Sequence, residues 1–270
     1  MRLALLDLYD GEKNLGIAAI EEILDRYQGQ FEWKRFDVRQ DSEVPVVEDY
    51  DLFISSGGPG SPLDGDGVWD RKWHAWLDDL WSYNLRGKGR KKYAFFICHS
   101  FQMLCHHFEL GEITKRDVTS FGTFPVDLTE AASEDPVFQQ LSNPFYAADF
   151  RDYQVVEPDM ERFEALGAQI MAMENIPSGQ AGNRALMALR LSEEISAVQF
   201  HPEAHVKGML KHFQDTTRMV QVVNQYGKKK YAQMIKDLSD PAKIQFTYEV
   251  VIPAFIERSL ESLKEQVLLA

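Results

Sequence analysis

In the first hundred residues, short apolar runs alternate with stretches of helical spacing, and this alternation limits the chain to few architectures. The runs lie at 3–8, 31–36, 52–55 and 93–97, with a later one at 195–200. Each has the length of a strand. After the first run, Ile17, Ile20, Ile23 and Leu24 recur near helical spacing. Before the fourth, Trp73, Trp76, Leu77, Leu80 and Trp81 form one helical stripe, which reads as core rather than as a ligand box. Parallel strands need a crossover, usually helical, so the alternation implies an α/β fold with a doubly wound, mostly parallel sheet. Sites in such sheets lie beyond the carboxyl ends of the strands. Residues 111–195 are richer in turns, and 123–128, 154–156, 169–173 and 185–191 read as short antiparallel strands. No internal repeat or low-complexity segment is present.

Three strand ends carry residues suited to chemistry. The run Tyr93-Ala94-Phe95-Phe96-Ile97 leads into Cys98 and then the helix-like Ser100-Phe101-Gln102-Met103-Leu104. A strand-to-helix elbow holds a nucleophile out at the end of a sheet, and the backbone N–H groups that open the helix favour negative charge there. A lone cysteine is more often a small buried hydrophobe, so two further segments matter. In Val198-Gln199-Phe200-His201-Pro202-Glu203, the histidine follows the cysteine by 103 residues and precedes the glutamate by two. Residues two apart in extended chain share a side, so Glu203 can orient the imidazole and the imidazole can deprotonate a thiol. Read alone, that segment is a satisfied histidine before a turn proline. The third segment, Ser55-Ser56-Gly57-Gly58-Pro59-Gly60, ends a short strand in small residues. Glycine lets a backbone N–H approach a ligand, so this loop can donate to an oxyanion, or it is simply a turn.

Taken in order, Ser-Gly-Gly-Pro, Ile-Cys-x-x-x-Gln and Gln-Phe-His-Pro-Glu resemble the class I glutamine amidotransferase family, over about residues 1–205. The resemblance implies a flavodoxin-like α/β domain that hydrolyses the glutamine side-chain amide to glutamate and ammonia. It implies Cys98 as nucleophile, His201 as general base and acid, Glu203 as its orienter, and the Gly58 and His99 N–H groups as the oxyanion hole. Gln102 would help hold glutamine, and Thr119-Ser120-Phe121-Gly122 would line its pocket. No metal or cofactor is required. Two departures stand out. The family's usual glycines two before and two after the nucleophile are Phe96 and Ser100 here, and a bulky Phe96 is expected to crowd a tight elbow. The usual His-x-Asp segment is Phe150-Arg151-Asp152, which reads as a difference in specificity or partner coupling.

Charge and composition exclude other classes. A formal net charge of −13 argues against nucleic acid, which needs a basic face. The basic stretch Arg86-Gly87-Lys88-Gly89-Arg90-Lys91-Lys92 reads as a solvated loop, with a docking loop as the lesser alternative. Two cysteines in 270 residues fit a reducing compartment, and no run approaches the ~20 apolar residues of a membrane span, so a cytoplasmic location is expected. The adjacent His106 and His107 beside Cys105 do not follow a zinc spacing. His205 reads as a pocket-rim residue.

Beyond about residue 205 the chain turns helical, with candidates at 206–226 and 228–238, and a last helix opening at Pro253. There Ile256, Leu260, Leu263 and Val267 make one stripe. The expected organisation is therefore a catalytic domain, 1–205, and a helical extension packed on it, 206–270. The extension would cap the core, cover the site or form a homo-oligomer interface. No phosphate loop for an ATP-dependent synthetase is present. The leading expectation is a stand-alone glutaminase component resembling that of GMP synthase, acting on L-glutamine with a separate synthetase subunit. The alternatives are a hydrolase of another γ-glutamyl compound and a catalytically silent binding protein of the same fold.

Overall fold

The computed structural model describes every residue except 12, 13, 88, 177–182, 241, 269 and 270; Lys88 of the basic loop thus lies outside the described residues. The first half builds the expected alternation. Strand β1 (Arg2–Asp7) leads to helix α1 (Leu15–Asp25), β2 (Glu32–Asp37) and β3 (Leu52–Ser55), then α2 (Trp69–Leu85), β4 (Tyr93–Ile97) and α3 (His99–His107). Helix α1 starts where the Asn14 side chain accepts from Gly16 N–H at 2.6 Å, satisfying one of the donors that a helix start leaves free.

The middle of the chain is β5 (Glu112–Leu128), β6 (Phe145–Val156), α4 (Met160–Leu166), β7 (Gln169–Glu174), β8 (Leu186–Ser192) and β9 (Ile195–Val198). Among the described residues, these nine strands form one sheet in the order β2-β1-β3-β4-β9-β8-β7-β5-β6. From β2 to β9 the neighbours are parallel, and from β9 to β6 they are antiparallel. The sheet is therefore mixed, and the expectation of a mostly parallel one holds only for its first five strands. The cause lies in β5 and β6, which are 17 and 12 residues long where sequence reading allowed only their ends. Lys115, Arg116 and Asp117 hide the start of β5, yet its backbone pairs with Tyr153 to Val156 of β6. The pairing supplies the bonds that local composition does not signal.

Helices cover both faces. Ile20, Ile23 and Leu24 of α1 pack on Leu3, Leu5, Ile54 and Phe95 on one side. Trp73, Trp76 and Leu80 of α2, with Phe101 and Leu104 of α3, pack on Ala4, Phe53 and Phe96 on the other. Cys105 is fully buried in this second layer, as its place on α3 suggested. In the basic loop, Lys92 is buried, with Nζ donating to the Tyr50 carbonyl at 2.5 Å. Arg90 and Lys91 pair with Asp51 and Glu194.

The C-terminal helices are α5 (Val206–Gln214), α6 (Thr216–Tyr226), α7 (Lys228–Leu238) and α8 (Ile244–Leu268). Two boundaries differ from the sequence reading. Asp215 splits the expected helix 206–226, because its carboxylate accepts from Thr217 and Arg218 N–H at 3.0 and 3.2 Å and starts a new helix. Pro253 does not open the last helix but lies inside α8. Its cost of about 3 kcal/mol is outweighed because Ile244, Tyr248, Val251 and Ile252 extend the buried stripe ahead of it. Thr247 Oγ1 also donates to the Tyr146 carbonyl at 2.6 Å, tying α8 to β6. Among the described residues, no helix is long and apolar enough to cross a membrane.

Candidate active site

Cys98 stands between β4 and α3 with φ 50° and ψ −99°. A non-glycine residue there costs about 1–3 kcal/mol and persists only when its surroundings over-determine it. They do so here. Cys98 N–H donates to the Val198 carbonyl at 2.8 Å, and its own carbonyl accepts from Gln102 N–H at 3.0 Å. Ser100 braces the turn: its Oγ accepts from Ile97 N–H at 2.9 Å and donates to the Ser55 carbonyl at 2.8 Å. The expected crowding by Phe96 does not arise. Its ring points to the α2 side, 5.8 Å from Trp73 and 6.1 Å from Trp76, centroid to centroid. Strand residues two apart share a face in a regular strand, but the positive φ at Cys98 turns the nucleophile out of that register.

His201 follows β9 and bonds through its backbone N–H to the Ala148 carbonyl of β6 at 2.8 Å. Its Nδ1 lies 2.8 Å from Glu203 Oε1. Burial disfavours the imidazolium, but Glu203 and Cys98 beside the ring outweigh it and raise the imidazole well above its ordinary range. Glu203 is 1% exposed, and among the described residues its Oε2 has no hydrogen-bond partner.

The Gly57–Gly58 loop lies against these groups. A side-chain carbon on Gly57 would sit 3.0 Å from His201 Cε1 and 3.5 Å from Cys98 Cβ; on Gly58 it would sit 2.5 Å from the Leu8 carbonyl oxygen. Only glycine permits so close an approach. Among the described residues, neither the Gly58 nor the His99 N–H donates to a backbone or side-chain acceptor.

The His99 ring is buried, and Arg39 Nη2 lies 2.8 Å from its Nε2. Burial, then the Arg39 charge, hold its pKa down to about 3, so it is neutral and its proton sits on Nδ1. Arg39 is itself stacked 4.5 Å over Trp69.

Two cavities meet at Cys98. The smaller, about 220 Å³, is lined by His99, Gln102, Ser120, Phe121 and Arg151 among others. The Gln102 amide donates to the Tyr153 carbonyl and to Gln199 Oε1, each at 3.0 Å, while Gln199 Nε2 lies 3.7 Å from Cys98 Sγ. Ser120 Oγ donates to Asp149 at 2.7 Å, and Arg151 bridges Asp149 and Glu174. Gly122 stands apart from this lining, beside Lys230 of α7. Phe121 belongs to both the cavity wall and an aromatic cluster with Phe150, Phe213 and Tyr226. Phe150 lies 6.1 Å from the His201 ring. The larger cavity, about 410 Å³, contains His201, Glu203 and the expected rim residue His205, and is walled by α1 and α5.

Sequence reasoning missed Tyr9, Gln199 and Arg39. Tyr9 follows the carboxyl end of β1, where α/β sheets place ligand contacts. Its phenol is raised well above the ordinary range, by burial first and then by Glu203 and Cys98. Gln199 lay inside a motif already recognised. For Arg39 no local signal existed.

The arrangement is an α/β sheet presenting a strained cysteine beside an oriented histidine. The fold is shared by a glutamine amidotransferase from Thermotoga maritima, with a TM-score of 0.69 at 12% identity, over 96% of this chain and 98% of that one. A glutamine amidotransferase from Methylobacillus flagellatus gives 0.57 at 13%, over 98% and 92%. The glutaminase domain of Trypanosoma brucei CTPS, solved with bound acivicin, gives 0.55 at 16%, over 75% and 86%. The first two likenesses include the C-terminal helices. No curated protein sequence matches the chain. Residues 5–216 match the model for class I glutamine amidotransferases, and the chain belongs to that family.

Proposed function

We propose that the protein hydrolyses the side-chain amide of glutamine through Cys98, His201 and Glu203. The observation that carries this reading is the strained Cys98 elbow beside a histidine whose Nδ1 is held by Glu203 at 2.8 Å. The Cys98 thiolate attacks the γ-carbonyl carbon, and the oxyanion forms against the Gly58 and His99 N–H groups. Such a donor is worth roughly 3–4 kcal/mol of barrier. His201 protonates the departing ammonia, and water then hydrolyses the γ-glutamyl thioester, with His201 as base. The glutamyl part occupies the smaller cavity over Gln102, Ser120 and Phe121. Gly122 would act through the backbone shape of that wall. We place the catalytic unit at 1–205 and read 206–270 as an extension that completes the site. A separate synthetase subunit would take the ammonia, and a cytoplasmic location fits this role.

The test is intact mass spectrometry after exposure to a glutamine analogue carrying a γ-electrophile, beside a glutaminase assay. Wild type is expected to gain one adduct at Cys98. Cys98→Ala is expected to gain none and to lose at least about 10⁴-fold in turnover while keeping its fold. Unchanged turnover in that variant would sink the assignment.

A further inference from the structure

Away from Cys98, two imidazoles from different helices meet nitrogen to nitrogen. His74 of α2 and His107, the last residue of α3, place their Nδ1 atoms 3.2 Å apart. The rings are nearly parallel, at 15°, with centroids 5.1 Å apart. At that distance the two nitrogens cannot both carry a hydrogen, so at least one presents a lone pair to the other. Two imidazole nitrogens bound at about 2.0–2.1 Å to one tetrahedral ion stand roughly 3.3–3.4 Å apart. The spacing of the pair therefore suits two ligands on a shared ion as well as it suits a hydrogen bond.

A further contact favours the ion. His107 Nε2 lies 2.9 Å from Asp78 Oδ1. An ionised carboxylate only accepts, so it holds the His107 proton on Nε2 and leaves Nδ1 as a lone pair aimed at His74. A carboxylate on the far nitrogen is the arrangement that orients histidine ligands in metal sites. The pair also stands at the carboxyl end of α3, where free carbonyls favour a cation. The cleft beside it is walled by His106, Gly111, Glu109, Glu112, Glu157 and Asp159. Asp159 is engaged as the N-cap of α4, and Glu157 accepts from the Asn183 amide at 2.6 Å. These carboxylates make the surroundings negative without binding the pair. Among the described residues, no group of three His, Cys, Asp or Glu side chains converges on one ion. Two ring nitrogens are thus the whole protein contribution, and water fills the other positions.

We infer that His74 and His107 form a two-histidine site for a divalent transition ion of the zinc class, with Asp78 orienting His107. Imidazole suits zinc, nickel and copper, whereas magnesium and calcium take oxygen ligands. The ion replaces the proton between the two Nδ1 atoms. His74 then carries its single proton on Nε2, so neither ring changes charge. The partner of His107 is across the helix interface, 33 positions away in sequence, and not the neighbouring Cys105 or His106. The bound ion pins the end of α3, the helix that starts at Cys98, to α2.

The experiment uses the full chain carrying Cys98→Ala, so that the thiol of the candidate active site cannot take the ion. After EDTA treatment and removal of the chelator, it is titrated with zinc chloride by calorimetry. One ion per chain is expected, at micromolar affinity. His74→Ala is expected to weaken binding at least tenfold, and Asp78→Asn, at a side chain that is 65% exposed, about tenfold. X-ray absorption of the zinc form should show two imidazole nitrogens at about 2.0–2.1 Å, with oxygen in the remaining positions. No binding up to millimolar zinc, or an affinity that either variant leaves unchanged, overturns the inference. A sulfur neighbour at the ion overturns it as well. If circular dichroism shows His74→Ala to be unfolded, Asp78→Asn decides alone, and an unchanged affinity there overturns the inference.

Discussion

At Cys98 the backbone occupies φ 50° and ψ −99°, and the bonds of Ser100 to Ile97 and Ser55 hold it there. A serine thus does by hydrogen bonding what a glycine elsewhere in the family does by having no side chain. Phe96 is separate from that device, being packed against Trp73 and Trp76. Phe96→Ala is therefore expected to cost about 3–5 kcal/mol of stability, read from urea denaturation, while the alkylation rate of Cys98 stays unchanged. Slower alkylation at unchanged stability would place Phe96 in the elbow after all. His99 makes a second prediction. Its folded pKa is about 3, against an ordinary value of 6.5. The unfolded chain therefore takes up a proton on acidification that the folded one refuses. The stability this neutral histidine contributes is fully present above pH 6.5 and is lost as pH falls below it, by up to ~1.4 kcal/mol per unit. Urea midpoints measured from neutral pH down to about 4 should fall less steeply in His99→Asn than in wild type. Parallel slopes would show that His99 is not held neutral.

Helices α5, α6 and α7 form a small core of their own with Ala148, Phe121 and Phe150, centred on Met209, Phe213, Val222 and Met234. Phe213 touches Phe121 and Phe150 at once, with ring centroids 5.5 and 6.0 Å away. Phe150 stands in the segment where the family usually has a histidine, and its ring fills the space between α5 and His201. Removing the Phe213 ring should cost about 3–5 kcal/mol, and the loss should fall on these helices rather than on the sheet. In Phe213→Ala, amide hydrogen exchange is expected to quicken across α5–α7 while β1, β3 and β4 keep their protection. Uniform quickening would mean that the helices and the sheet unfold as one unit.

Over the whole molecule, the extension divides into parts with different jobs. Helix α5 borders the site with α6 and α7 packed behind it, whereas α8 completes the core on the face shared with α1. Val251, Ile252, Phe255, Ile256, Leu260 and Leu263 are at most 2% exposed. At about 1.5–3 kcal/mol each, these six contribute roughly 9–18 kcal/mol of burial, as much as the net stability of an ordinary domain. Deleting residues 244–270 should leave an insoluble or unfolded chain, checked by far-UV circular dichroism and sedimentation; a folded, soluble product would show that the sheet stands without α8. The parallel half of the sheet, α1, α2 and the order of the cysteine, histidine and glutamate segments could all be read along the chain, because helical period, strand length and motif spacing are local properties. The long hairpin of β5 and β6, the break at Asp215 and the continuation of α8 through Pro253 could not, since each is settled by partners or packing that local pattern does not reveal. The same holds at the site. Cys98, His201 and Glu203 announce themselves by type and order, but Arg39 on His99, Gln199 on Cys98 and the cavity between α1 and α5 exist only once residues a hundred or more positions apart, or sixty in the case of Arg39, are folded together. A motif specifies which groups can react; the walls that select what reaches them are assembled by tertiary contacts.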